Sequence, residues 1–166
     1  MTETTTTAPA RTTAPALDFK AALIAGLIAG AVFMMLEMAL VATVGGGSPW
    51  GPPRMIAAIG MGRDVLPPPA TFEIGMFVVA MLIHFALSIV LAIVFALIAG
   101  RLGLVPALIA GAVFGLALYG LHFYGMTSVF PWFAMARGGI AIFAHISFGV
   151  ALAWSYKAFQ NKVVRT

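Results

Sequence analysis

FEIGMFVVAMLIHFALSIVLAIVFALIA, residues 72–99, is an apolar run of the length that crosses a bilayer as a helix. It follows the stiff Pro67-Pro68-Pro69 and ends at Gly100-Arg101-Leu102-Gly103-Leu104, so short a link that the next apolar segment is expected to return as its antiparallel neighbour. That segment begins near Val105, with Pro106 suited to a first helical turn, and runs to Gly125. A run over residues 19–44 precedes them, closed by Gly45-Gly46-Gly47, and a fourth covers residues 138–159. The expected fold class is all-α, an integral membrane four-helix bundle with spans 19–44, 72–99, 105–125 and 138–159 inside a membrane domain of residues 19–160.

Composition agrees. Hydrophobic residues make up 62% of the chain and charged residues 8%, with a mean hydropathy of +1.07. A soluble domain of this size could not cover so much apolar area with polar surface. There is no cysteine, which excludes disulfides, thiolate chemistry and Cys-ligated zinc or iron–sulfur centres. The net charge of +4 reflects flanking Lys and Arg, and no nucleic-acid partner is expected. A Gly-rich phosphate loop, a GxSxG elbow and an HExxH helix are all missing, and no catalytic activity is expected. Residues 1–18 read as a disordered Thr/Ala/Pro tail and residues 161–166 as a short basic one. The first apolar run is far longer than a signal-peptide core, so it is expected to stay as an anchor.

Arg11, Lys20, Arg101, Lys157, Lys162 and Arg165 fall on one side of the spans, and Arg54, Arg63 and Arg137 on the other. The positive-inside rule then places both termini in the cytoplasm, in a bacterial inner membrane. Trp50 and Trp132 in the outer loops read as interface anchors. Residues 55–61 are too short to span, and read equally as a segment dipping into the membrane or as a packed loop.

Leu27-Ile-Ala-Gly-Ala-Val-Phe33 recurs as Leu108-Ile-Ala-Gly-Ala-Val-Phe114, and Pro49-Trp50 recurs as Pro131-Trp132 at nearly the same offset. This argues for two parallel-repeat helix pairs, with a pseudo-symmetric interface where membrane proteins keep their sites. Gly26 and Gly30, and Gly111 and Gly115, are GxxxG pairs that let helices approach closely. Glu37 and His122 follow these pairs at two- and three-turn intervals, so each shares its helix face with the glycines. His84 and His145 are each followed four residues on by a small residue, Ser88 and Gly149. Depths of roughly 10 Å for Glu37, 6 Å for His122, 10 Å for His145 and 16 Å for His84 from the outer ends put all four in one zone.

Ionisable residues within a membrane are costly and are functional candidates by default. The plain alternative is an interhelical hydrogen-bonding role, with Glu37 protonated or paired with His122. Three functional readings use the same residues. One is a proton, ion or small-solute pathway through Glu37, His84, His122 and His145. Another is a b-type haem ligated by His84 and His145. The last is a metal site drawing on Met34 and Met38, since thioethers favour Cu(I). Tyr119, Tyr124 and Trp154 suit packing, interhelical hydrogen bonds or interface belts. The cofactor is left open, with none the expectation.

At Arg54-Met-Ile-Ala-Ala-Ile59, Val65-Leu-Pro-Pro-Pro-Ala-Thr-Phe72, His84-Phe85 and Phe130-Pro-Trp-Phe-Ala-Met-Ala-Arg137, the chain resembles a group of small, uncharacterised bacterial four-helix membrane proteins. Some of these carry the label "sodium:proline symporter". The resemblance covers about residues 20–160 and implies a four-helix membrane fold, with no established activity attached to it. The expected role is therefore a non-catalytic membrane component that assembles in the bilayer with itself or with a larger complex.

Overall fold

The computed structural model describes residues 17–163, with side chains through residue 160. Most of the Thr-rich tail, and residues 164–166, lie outside the described residues. The described chain is helical: α1 (Phe19–Thr43), α2 (Gly51–Met61), α3 (Ile74–Ala99), α4 (Leu104–Gly120) and α5 (Gly139–Val163). Short 3-10 turns occupy the loops, and a π turn at Leu121–Gly125 prolongs α4. Four helical segments are long and apolar enough to cross a membrane: Phe19–Thr43, Ile74–Ala99, Leu104–Ser128 and Gly139–Gln160. This is a multi-pass membrane protein. Leu82, Leu97, Ile98, Ile109 and Val113 stand exposed on the spans, where hydrocarbon and not water suits them.

The helix ends follow from local chemistry. Asp18, assigned to the tail on sequence, belongs to the fold: its carboxylate accepts from the Ala21 amide at 2.9 Å and caps α1. Glu73 caps α3 by accepting from Gly75 and Met76 at 2.8 and 2.6 Å, so the helix starts two residues later than its apolar run. Gly46 and Gly62 adopt φ of +65° and +87°, a conformation that suits glycine, where α1 and α2 give way to loop. At the other end α5 runs on to Val163, into the segment expected to be a basic tail.

The order of packing differs from the expectation that the spans flanking the short link are neighbours. α3 packs on α1, α1 on α5, and α5 on α4, whereas α3 and α4 barely touch. A short link fixes only where two helices meet. Which faces pair is decided by where small residues let backbones approach. α1 offers Ala21, Ala22, Ala25 and Ala29, all at most 1% exposed. A Cβ at Gly26 would lie 2.9 Å from Ile89 Cα on α3. Between α4 and α5 the approach is tighter still: a Cβ on Gly111 would overlap the Gly149 carbonyl, one on Gly149 the Gly111 carbonyl, and one on Gly115 the His145 carbonyl. α3 and α4 meet near their link, through Phe95 and Phe114 with ring centroids 5.5 Å apart. Lys157 and Gln160 on α5 tie down the same end, both donating to the Gly100 carbonyl, at 2.5 and 3.2 Å, at the end of α3.

The long loops all lie at the opposite end. There α2 packs on α3, burying Ala57 with Met76 and Ala80 and setting Gly60 against Val79 and Ile83. It thus runs alongside the first turns of α3 and is neither a span nor an irregular loop. Arg54 on α2 fixes the connection to α3 by donating to the carbonyls of Val65 (2.9 Å) and Thr71 (3.0 Å).

Candidate functional site

Where α3 and α4 part toward the long-loop end, they leave a cavity of about 730 Å³. Phe33 and Glu37 of α1, His84 and Ser88 of α3, Leu118 of α4, His122 on the π turn, and His145 and Phe148 of α5 all line it. Met55, Ile56 and Ile59 of α2 form a further wall. The structure therefore brings Glu37, His84, His122 and His145 onto the lining of one cavity.

Glu37 is 7% exposed and makes no hydrogen bond or ion pair, and its Oε1 is fully enclosed. It is not paired with His122, which turns to His145 instead, with Nδ1 of the first 3.3 Å from Nε2 of the second. The carbonyl partners assign the tautomers, because a carbonyl can only accept. His145 Nδ1 donates to the Ala141 carbonyl at 2.7 Å, so in the neutral ring its Nε2 accepts from His122 Nδ1. That leaves Nε2 of His122, a ring on the cavity lining, as a lone pair. His84 Nε2 donates to the Gly30 carbonyl at 2.9 Å, and its Nδ1 lone pair has no hydrogen bond.

The GxxxG faces position these groups. Gly30 admits Ser88, whose Oγ would lie 2.8 Å from a Cβ there, and so brings His84 to the Gly30 carbonyl. Gly115 seats on the backbone of His145, and seven residues on, on the π turn, His122 reaches the same imidazole. A π turn is rare and aims a side chain differently from a continued α-helix. No signal in LHFYG (Leu121–Gly125) announced it.

Phe33 is the residue that sequence reading missed. Its ring stacks on His84 with centroids 5.6 Å apart and meets His145 edge-on at 4.8 Å. It lies against both imidazoles, where a haem between them would have to stand. His84 Nε2 is committed to the Gly30 carbonyl, and both nitrogens of His145 are engaged, by Ala141 and His122. The haem pair does not fit this geometry. Met34 is buried and Met38 half-buried, and neither lines the cavity. Among the described residues, no group of three or more His, Cys, Asp or Glu side chains is placed to hold a metal ion.

Other aromatic residues resolve individually. Trp132, expected at a membrane interface, turns inward: it is 8% exposed and its Nε1 donates to the Met55 carbonyl at 3.0 Å. A buried indole needs a partner for its N–H, and the Met55 carbonyl of α2 supplies one. Trp50 packs on Phe72 at 4.8 Å. Tyr119 stacks on Phe123 at 5.2 Å and meets His145 edge-on at 5.8 Å. Tyr124 lies under the Arg137 guanidinium at 4.2 Å, and Trp154 is exposed. Compared with known protein families, curated proteins and solved structures, the chain matches none.

Proposed function

We propose that this protein is a non-catalytic component of a bacterial cytoplasmic membrane that holds a small, mostly apolar solute in its cavity, as a binding or transport element. One observation carries the reading. The carboxyl of Glu37 has no partner, and it shares a cavity of about 730 Å³ with all three histidines of the chain. That volume suits a small molecule, and apolar walls with a few convergent polar groups are the usual make-up of such sites. A purely structural set of ionisable residues would be expected to pair internally, as His122 and His145 do, and Glu37 does not.

The same proposal places both termini on the cytoplasmic side, from the distribution of Lys and Arg. It takes the α1–α3 and α4–α5 pairs as diverged copies of one unit. In support, Gly26 of α1 meets Ala92 of α3 as Gly111 of α4 meets Ala153 of α5. In each pair a histidine lies one turn before the small residue that meets the glycines, His84 before Ser88 and His145 before Gly149.

The test is equilibrium binding of phenylbutanol, a neutral probe, to the purified protein in nanodiscs. Saturable binding is expected, weakened at least about tenfold by Ile59→Trp, which puts an indole into the α2 wall. Binding that does not saturate, or that ignores this substitution, would overturn the reading.

A further inference from the structure

Most of the uncommitted polar side chains on the cavity lining are hydrogen-bond acceptors. Glu37 contributes a carboxyl with no partner. By the hydrogen-bond network His122 contributes an Nε2 lone pair and His84 an Nδ1 lone pair, while the Ser88 hydroxyl can serve either role. Arg137 is the cation on the lining, and it is already engaged. Its Nε donates to the Phe123 carbonyl at 2.7 Å, and its guanidinium lies over the Tyr124 ring. A ligand that satisfies this inventory must bring hydrogen-bond donors, and one that meets the carboxyl in its charged form must bring positive charge. An uncompensated carboxylate is costly in such surroundings, and a bound cation removes that cost. The aromatic rings of Phe33, Phe123 and Phe133 on the lining add favourable surfaces for an ammonium group and its alkyl neighbours.

We infer that the cavity selects an organic amine carried on an apolar body, its ammonium group seated between Glu37 and the His122–His145 pair. This rests on the solute-binding reading above and names the chemical class of that solute. Acceptors fix the head, and the apolar walls take the rest.

The experiment compares three probes with one skeleton, phenylbutylamine, phenylbutanol and phenylbutyrate, on the full-length protein in nanodiscs at neutral pH, where the amine is charged. The amine is expected to bind about tenfold or more tighter than the alcohol, as hydrogen bonds to charged groups allow. Glu37→Gln is expected to bring the amine down to the level of the alcohol. Equal binding of amine and alcohol would overturn the amine assignment while leaving the cavity reading in place. Tighter binding of phenylbutyrate would overturn it too, and would point to Arg137 and the first turn of α5. Binding by none of the three would overturn both. Should the Glu37→Gln protein not fold, the wild-type ranking of the three probes decides the question.

Discussion

His122 and Glu37 hold corresponding places on the two glycine-bearing helices, yet their surroundings are opposite. His122 reaches across to a second imidazole, and Glu37 reaches nothing. The convergence of the ionisable residues was legible because each shares a helix face with small residues, and those faces pack inward. Their pairing was not legible. It depends on the π turn that carries His122 and on Phe33 lying between His84 and His145, and neither leaves a mark in a hydropathy pattern. The glycines offer a sharp residue-level test. Gly115→Ala puts a methyl group onto the His145 carbonyl, whereas Gly120→Ala meets nothing within 4 Å. The first is expected to lose about 1–3 kcal/mol, the usual cost of overpacking a close contact. The second is expected to leave stability unchanged or slightly raised, given the helix preference of alanine. Chemical unfolding of both variants in detergent reads the difference, and equal loss in both would contradict the packing described.

Among the elements, α3 owes its start to a charged cap. Hydrogen bonds from the Met76 amide, and then from the Gly75 amide, hold the Glu73 carboxyl below the usual carboxylate range, and the nearby Arg54 adds a smaller pull the same way. The sign follows from linkage: a carboxylate with a depressed folded-state pKa stabilises fully above its unfolded value of about 4.3, and that stabilisation is lost as pH falls through the lower folded value. Thermal unfolding followed from neutral pH down to about pH 3 should show the wild type losing more on acidification than Glu73→Gln, with the gap opening below the ordinary carboxylate range. Parallel curves would mean that the cap contributes nothing. The extent of each span could be read closely from its apolar run, because in hydrocarbon the backbone must satisfy itself within the helix. The exact starts could not, because a cap such as Asp18 or Glu73 is polar and reads as loop until its partner amides are known. The identity of α2 was hidden for a related reason. Eleven residues are too few to decide between a dipping segment and a loop until Ala57 and Gly60 find α3.

At the level of the molecule, the seams α1–α3 and α4–α5 lie within the two halves of the chain, and α1–α5 joins them. The short link between α3 and α4 carries little of the packing, a result that runs against its length and could not be read from it. A chain cut between Arg101 and Leu102, with the halves co-expressed and one tagged, should therefore reassemble in the membrane and co-purify. Recovery of the tagged half alone would show that the link itself is required.

The two seams differ in what they are made of, and this has a mechanical consequence. Between α4 and α5, Gly111, Gly115 and Gly149 rest directly on main-chain carbonyls, and neither helix has a side chain there that could rotate aside. Between α1 and α3, Gly26 also rests on main chain, at Ser88 and Ile89, but Gly30 rests on the Ser88 hydroxymethyl group and its carbonyl accepts from His84. The first seam is a fixed jaw that carries the imidazole pair. The second has a side chain to give only at its Gly30 end, where Ser88 and His84 of α3 also line the chamber.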